Sequence, residues 1–330
     1  MVPAPGCSQA DAEVAGLLHG AGERLLASHD LLRQRHRAAL DLLLRGDAGA
    51  QPLEQGGLRL QAELLIRAHW ACGARADTSI ARRDLETVVA AFAAVVCALE
   101  VLDELADGDE PAADCQASDL GLALLGESIE LFRGLPEPLG PRLLAHWGAL
   151  WTRCAAARTL DAALSAWPDL TVSQAIRVAT SSGLVTQWAV EAGATSAGAA
   201  PALVAPLADF GRSLGTAQKL LHDLHDLWPG AHRCGDLRRP RCNLALAVAR
   251  DSGLAPTEGD PGARDGDGLR RRLFECGALD YARACADQYC RHAADALRRF
   301  AGAGGDPAPL AGLLDLPPEL QVVQMENAQP

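Results

Sequence analysis

The chain has 330 residues, a formal net charge of −12 and 49% apolar side chains. That apolar content supports a large buried core and excludes a disordered chain. An acidic balance with no block of basic residues argues against nucleic acid and anionic membrane surfaces as partners.

Residues 1–8 read as a loose tail, 9–315 as one domain, and 316–330 as a polar C-terminal tail. From residue 9 onward Ala and Leu recur at helical period, and no alternating β-branched run suggests a strand. Breaks rich in Gly, Pro or Asp are predicted at 46–57, 108–118, 135–141, 167–171, 193–201, 228–240, 253–268 and 302–309. These predict an all-α, single-domain bundle of about ten helices around a central cavity. The helices at 82–107, 139–166, 171–192 and 201–227 are apolar on more than one face, as suits helices surrounded by others. The segment 253–268 reads as a loop, followed by a helix of about 30 residues.

No stretch reaches the roughly 18 to 20 uninterrupted apolar residues of a membrane span, so no stable membrane insertion is expected. The first residues lack the basic and apolar regions of a signal peptide. Ten cysteines include no C-x-x-C pair and read as core residues in a reducing cytoplasm.

Two acidic clusters carry the candidate chemistry. Glu100, Asp103, Glu104 and Asp107 fall at i, i+3, i+4 and i+7, so their carboxylates share one helix face. Like charges at that spacing repel, and acids at a helix C-terminus oppose the macrodipole, so a cation would relieve the strain. Hard Mg²⁺ binds through one or two carboxylates and completes its shell with waters and phosphate oxygens. Downstream, His222, Asp223 and Asp226 share a face near another predicted helix end. Metals held between two such ends would polarise a diphosphate leaving group. The bland alternative is a pair of solvated helix ends.

Together these stretches resemble the trans-isoprenyl diphosphate synthases and their relatives of the isoprenoid synthase fold. DELAD at 103–107 resembles the first aspartate-rich motif, DDxxD, with Glu104 at its second position, and HDLHD at 222–226 resembles the second, with His222 at its first. LGTAQK before the latter is similar to LGxAFQ, and GGLRLQAELL at 56–65 to GGKRxRPxLL. IRVATSSGL at 176–184 is similar to the stretch with a Lys-Thr pair, and 276–297 to the C-terminal helices. The set spans roughly residues 20 to 315.

The departures cluster on one substrate. Chain-elongating members hold isopentenyl diphosphate with cations where this chain has Leu58, Gln61, the Arg-free run 110–115 and Ala179; Arg59 remains. An anion site without cations cannot offset the desolvation of a diphosphate. The resemblance with this loss implies a Mg²⁺-dependent terpene synthase, a lyase that ionises one prenyl diphosphate. The rivals are a prenyltransferase or chain-elongating synthase, and an inactive regulatory subunit of a prenyl synthase.

In that framework Asp103, Glu104 and Asp107 ligate Mg²⁺, and Asp223 and Asp226, with His222, form a second metal site. Imidazole at His222 is a softer ligand than Mg²⁺ prefers. Arg59, Arg177, Lys219, Arg233 and Arg239 are candidate diphosphate contacts, with Arg238 beside the last. Phe92, Leu99, Trp147, Trp151, Thr180, Trp188 and Phe210 are candidate cavity residues, the aromatic ones suited to stabilising a carbocation. Small side chains at 93–98 suggest room for fifteen or more carbons. A homodimer is expected from the resemblance.

Overall fold

The computed structural model describes residues 9–27, 56–75, 78–107, 115–164, 170–227, 242–253 and 266–314. Among these residues there are eleven α-helices and no strand, as the periodicity predicts. In chain order they are α1 (Gln9–Ala27), α2 (Gly56–Ala71), α3 (Ser79–Asp107), α4 (Cys115–Arg133), α5 (Leu139–Leu164), α6 (Val172–Ser196), α7 (Pro201–His225), α8 (Leu244–Asp251), α9 (Gly266–Glu275), α10 (Ala278–Gly302) and α11 (Ala308–Ala311). A 3₁₀ turn, Gly312–Leu314, follows. The predicted tails at 1–8 and 316–330 lie outside the described residues.

Local chemistry sets the helix starts. Thr78 Oγ1 accepts from the Ala81 N–H at 3.1 Å and caps α3, which then runs 29 residues without Gly or Pro. At α6, Thr171 Oγ1 accepts from Gln174 N–H at 3.2 Å while Gln174 Oε1 accepts from Thr171 N–H at 2.8 Å. This reciprocal capping box satisfies two otherwise orphaned donors.

The chain packs as two compact units. The first comprises Met1–Gly148, Trp188–Ala205 and Ala301–Leu310. Its centre is α3, buried from Val88 to Ala98 and packed against α1, α2 and α4. Ser79–Leu102 is in fact long and apolar enough to cross a membrane, because its few charged groups lie near its two ends rather than in its middle. It is mostly buried among its neighbours. Glu86, itself buried, is held between Arg24 at 2.9 Å and Arg82 at 3.0 Å, tying α1 to α3. Arg67 on α2 reaches Glu63 Oε1 at 2.7 Å, Asp11 Oδ1 at 3.2 Å and the Pro309 carbonyl at 3.3 Å.

Gly193, predicted as the start of a break, lies inside α6. A Cβ there would sit 2.1 Å from the Leu65 carbonyl oxygen and 3.0 Å from Ala68 Cβ, so the glycine serves close approach of α6 to α2 and not chain reversal. Nearby, buried His69 places Nδ1 2.8 Å from Ser196 Oγ. Burial, with help from the Arg75 charge, lowers its pKa to about 4, against a backbone hydrogen bond to Gly193 that raises it. Between pH 4 and the ordinary 6.5 the unfolded chain therefore binds the extra proton. The contribution of neutral His69 is expected to be complete above about pH 6.5 and to fall by about 3 kcal/mol as pH drops to about 4. Urea unfolding across this window should show a shallower pH slope for His69→Gln than for the natural protein.

The second unit comprises Ala149–Gln187, Pro206–Phe300 and Ala311–Pro330. Within it α6 and α7 meet through paired glycines. A Cβ on Gly183 would lie 2.5 Å from the Arg212 carbonyl, and one on Gly215 would lie 2.5 Å from Thr186 Oγ1 and 2.9 Å from Gly183 Cα. The glycine of LGTAQK is thus a packing requirement. The single helix of about 30 residues predicted after 268 is two helices, α9 and α10. Gly277 separates them at φ +71°, with its N–H on the Phe274 carbonyl at 2.9 Å. Only a residue tolerant of left-handed geometry makes this turn without strain.

Candidate active site

The first acidic face belongs to the end of α3. The helix continues to Asp107, so Glu100, Asp103, Glu104 and Asp107 keep their common face. Glu100 is exposed; the side chains of Asp103, Glu104 and Asp107 lie outside the described residues. No basic residue stands in the last turn of the helix, where the macrodipole is negative. One turn back, burial and then the Glu100 charge push the Cys97 thiol up to about 12, which keeps it protonated and inert. All four positions carry carboxylates, the donor type a hard cation takes.

The second acidic cluster is built differently. Asp223, on the last turn of α7, is 4% exposed. Its Oδ1 lies 2.7 Å from the Lys219 ammonium, one helical turn earlier. Burial raises the carboxyl's pKa, and the Lys219 charge and hydrogen bond oppose that shift. His222 Nδ1 lies 3.0 Å from Asp226 Oδ2, and that hydrogen bond raises the imidazole pKa against the opposing effect of burial. Each carboxylate of HDLHD therefore has a side-chain cation or hydrogen-bond donor as its companion. Mg²⁺ takes oxygen ligands in an octahedral shell that includes several waters, and the imidazole of His222 is not such a donor.

Two residues that sequence patterns did not single out fix this helix end. Asn243 is 1% exposed; its Oδ1 accepts from Ala245 N–H at 2.9 Å and Leu246 N–H at 3.4 Å, capping α8. Its Nδ2 donates to the Asp223 carbonyl at 2.8 Å, one of the α7 carbonyls with no partner further along the helix. Arg270 Nη1 donates to the Leu227 carbonyl at 3.0 Å. Asn directly before the apolar run 244–249 is an N-cap signature and could have been recognised. Arg270 leaves no such mark, because its partner lies 43 residues away. Asn243→Ala removes a cap and strands a buried carbonyl. It is expected to destabilise by about 2 to 4 kcal/mol, with Asn243→Asp intermediate because it keeps the cap alone; chemical denaturation checks both.

The remaining candidates occupy varied environments. Phe92 and Trp188 are buried in the first unit with ring centroids 4.8 Å apart, and Phe132 meets the indole edge-on at 5.9 Å. Leu99 and Trp147 are half-buried, as is Trp151. In the second unit Phe210 is buried, Arg177 is exposed, and Thr180 Oγ1 donates to the Ile176 carbonyl at 2.6 Å. Ala179 is 2% exposed. Arg233, Arg238 and Arg239 lie outside the described residues, as do the side chains of Leu58 and Arg59.

No family model matches the sequence, and no curated protein does. Solved structures match over almost the whole chain. A geranylgeranyl pyrophosphate synthase superposes with a TM-score of 0.74 at 16% identity, covering 96% of this chain and 98% of its own. A decaprenyl diphosphate synthase from Rhodobacter capsulatus gives 0.68 at 18%, covering 93% and 97%. A polyprenyl synthase from Caulobacter crescentus CB15, complexed with calcium and isoprenyl diphosphate, gives 0.68 at 20%, covering 92% and 94%. At these identities the likeness establishes architecture, and the chain has the all-α isoprenoid synthase fold.

Proposed function

We propose that this protein is a prenyltransferase that ionises an allylic prenyl diphosphate and joins the resulting carbocation to an acceptor. The observation that carries the proposal is the likeness, over nine-tenths or more of the chain, to enzymes whose names are those of prenyl diphosphate synthases. The acidic end of α3 supports it. In this reading Asp103 and Asp107, with Glu104 and Glu100 beside them, hold Mg²⁺, which supplies charge neutralisation for the departing diphosphate. Arg59, Arg177, Arg233 and Arg239 are the candidate anion contacts, while Lys219 is paired with Asp223. Phe92, Trp147, Trp151, Trp188 and Phe210 remain the aromatic candidates for stabilising a carbocation, a contact worth roughly 0.5 to 2 kcal/mol where one is made.

A second reading is favoured by one specific feature. Ala179, enclosed on α6, stands where the resembling enzymes carry a lysine for isopentenyl diphosphate, and Leu58 and Gln61 replace further cations. That loss fits cyclisation of a single prenyl diphosphate or an acceptor that is not itself a diphosphate. Purified protein with Mg²⁺ and geranyl, farnesyl or geranylgeranyl diphosphate, each with and without isopentenyl diphosphate, separates the readings by mass spectrometry. A product longer by five carbons establishes elongation. A hydrocarbon formed without isopentenyl diphosphate establishes the cyclase. Absence of both, with altered output from an added prenyl synthase, establishes a regulatory subunit.

A further inference from the structure

The end of α7 supplies its own positive groups at a place where two carboxylates would otherwise gather an ion. Lys219, Asp223 and the pair His222 and Asp226 lie on successive turns, so both contacts are i, i+4 within one rigid helix and need no tertiary rearrangement to form. The Asp223 side chain is only 6% exposed, and Asn243 and Arg270 fix the backbone around it. A buried carboxylate without a companion is costly, and the ammonium at 2.7 Å supplies a charge-assisted contact. At the first motif position the chain carries imidazole, which already engages Asp226 and is a softer donor than a hard divalent ion prefers. We infer that Lys219 and His222 take the place of a divalent ion at HDLHD.

The inference extends the Mg²⁺-dependent reading above, and its test uses no prenyl substrate. Bound Mn²⁺ is counted by electron paramagnetic resonance, with inorganic pyrophosphate present, on the natural protein, Asp223→Asn, Asp107→Asn and the double variant Lys219→Gln/His222→Asp. Asp223→Asn should bind the same number of Mn²⁺ per chain as the natural protein. The double variant, which restores an all-oxygen cluster and removes the ammonium, should bind one more, and its melting temperature should rise with added Mn²⁺ by several degrees more than that of the natural protein. Loss of one Mn²⁺ in Asp223→Asn overturns the inference, and so does a folded double variant that gains none. If the double variant does not fold even with Mn²⁺, Asp223→Asn decides alone. Unchanged Mn²⁺ binding in Asp107→Asn counts instead against the α3 assignment, so the two failures remain distinguishable.

Discussion

Replacing Asp103 or Asp107 with Asn is expected to lower turnover at least about a hundredfold, equivalent to about 2.7 kcal/mol of transition-state stabilisation. Asparagine preserves shape and one oxygen acceptor but removes the charge that attracts a hard cation. From Val88 to Ala98 α3 is buried, which fixes the register of the helix that carries these positions, and its last turn holds no basic residue. Steady-state rates against Mg²⁺ concentration check the prediction: both variants should show lower kcat and a weaker response to the metal. Near-normal rates in both would remove α3 from the chemistry.

Gly193→Val is expected to unfold or severely loosen the first unit, at a cost of at least about 3 kcal/mol, toward the upper end for overpacking. The first added carbon already falls 2.1 Å from the Leu65 carbonyl oxygen, a backbone atom that no rotamer change can move aside. Separating α6 from α2 would also disturb the His69 contact with Ser196, whose hydroxyl donates to the Gly193 carbonyl at 2.7 Å. Gly148→Ala in α5 is the matched control. Nothing lies within 4 Å of its Cβ position, so relief of the helix-interior glycine penalty should leave stability unchanged or raised by about 0.5 to 1 kcal/mol. Denaturant midpoints of the two variants should move in opposite directions. A folded, equally stable Gly193→Val would refute the close crossing.

The sequence by itself determined the all-α class, the long apolar α3, the common face of Glu100, Asp103, Glu104 and Asp107, and the start of α6 near residue 171. Each depends on neighbours within a turn or two, where a 3.6-residue period and side-chain-to-backbone hydrogen bonds are written directly into residue order. The same local logic made Gly193 look like a break and let the chain around Gly277 look continuous, because a glycine's letter does not say whether it serves a turn or a close crossing. Tertiary structure alone decided the difference. It set Leu65 against Gly193, Gly183 against Gly215, and the Arg270 guanidinium against the end of α7. It also decided how the HDLHD carboxylates are satisfied: the spacing allows Lys219 to reach Asp223, but burial of that carboxylate is what makes a fixed companion charge necessary.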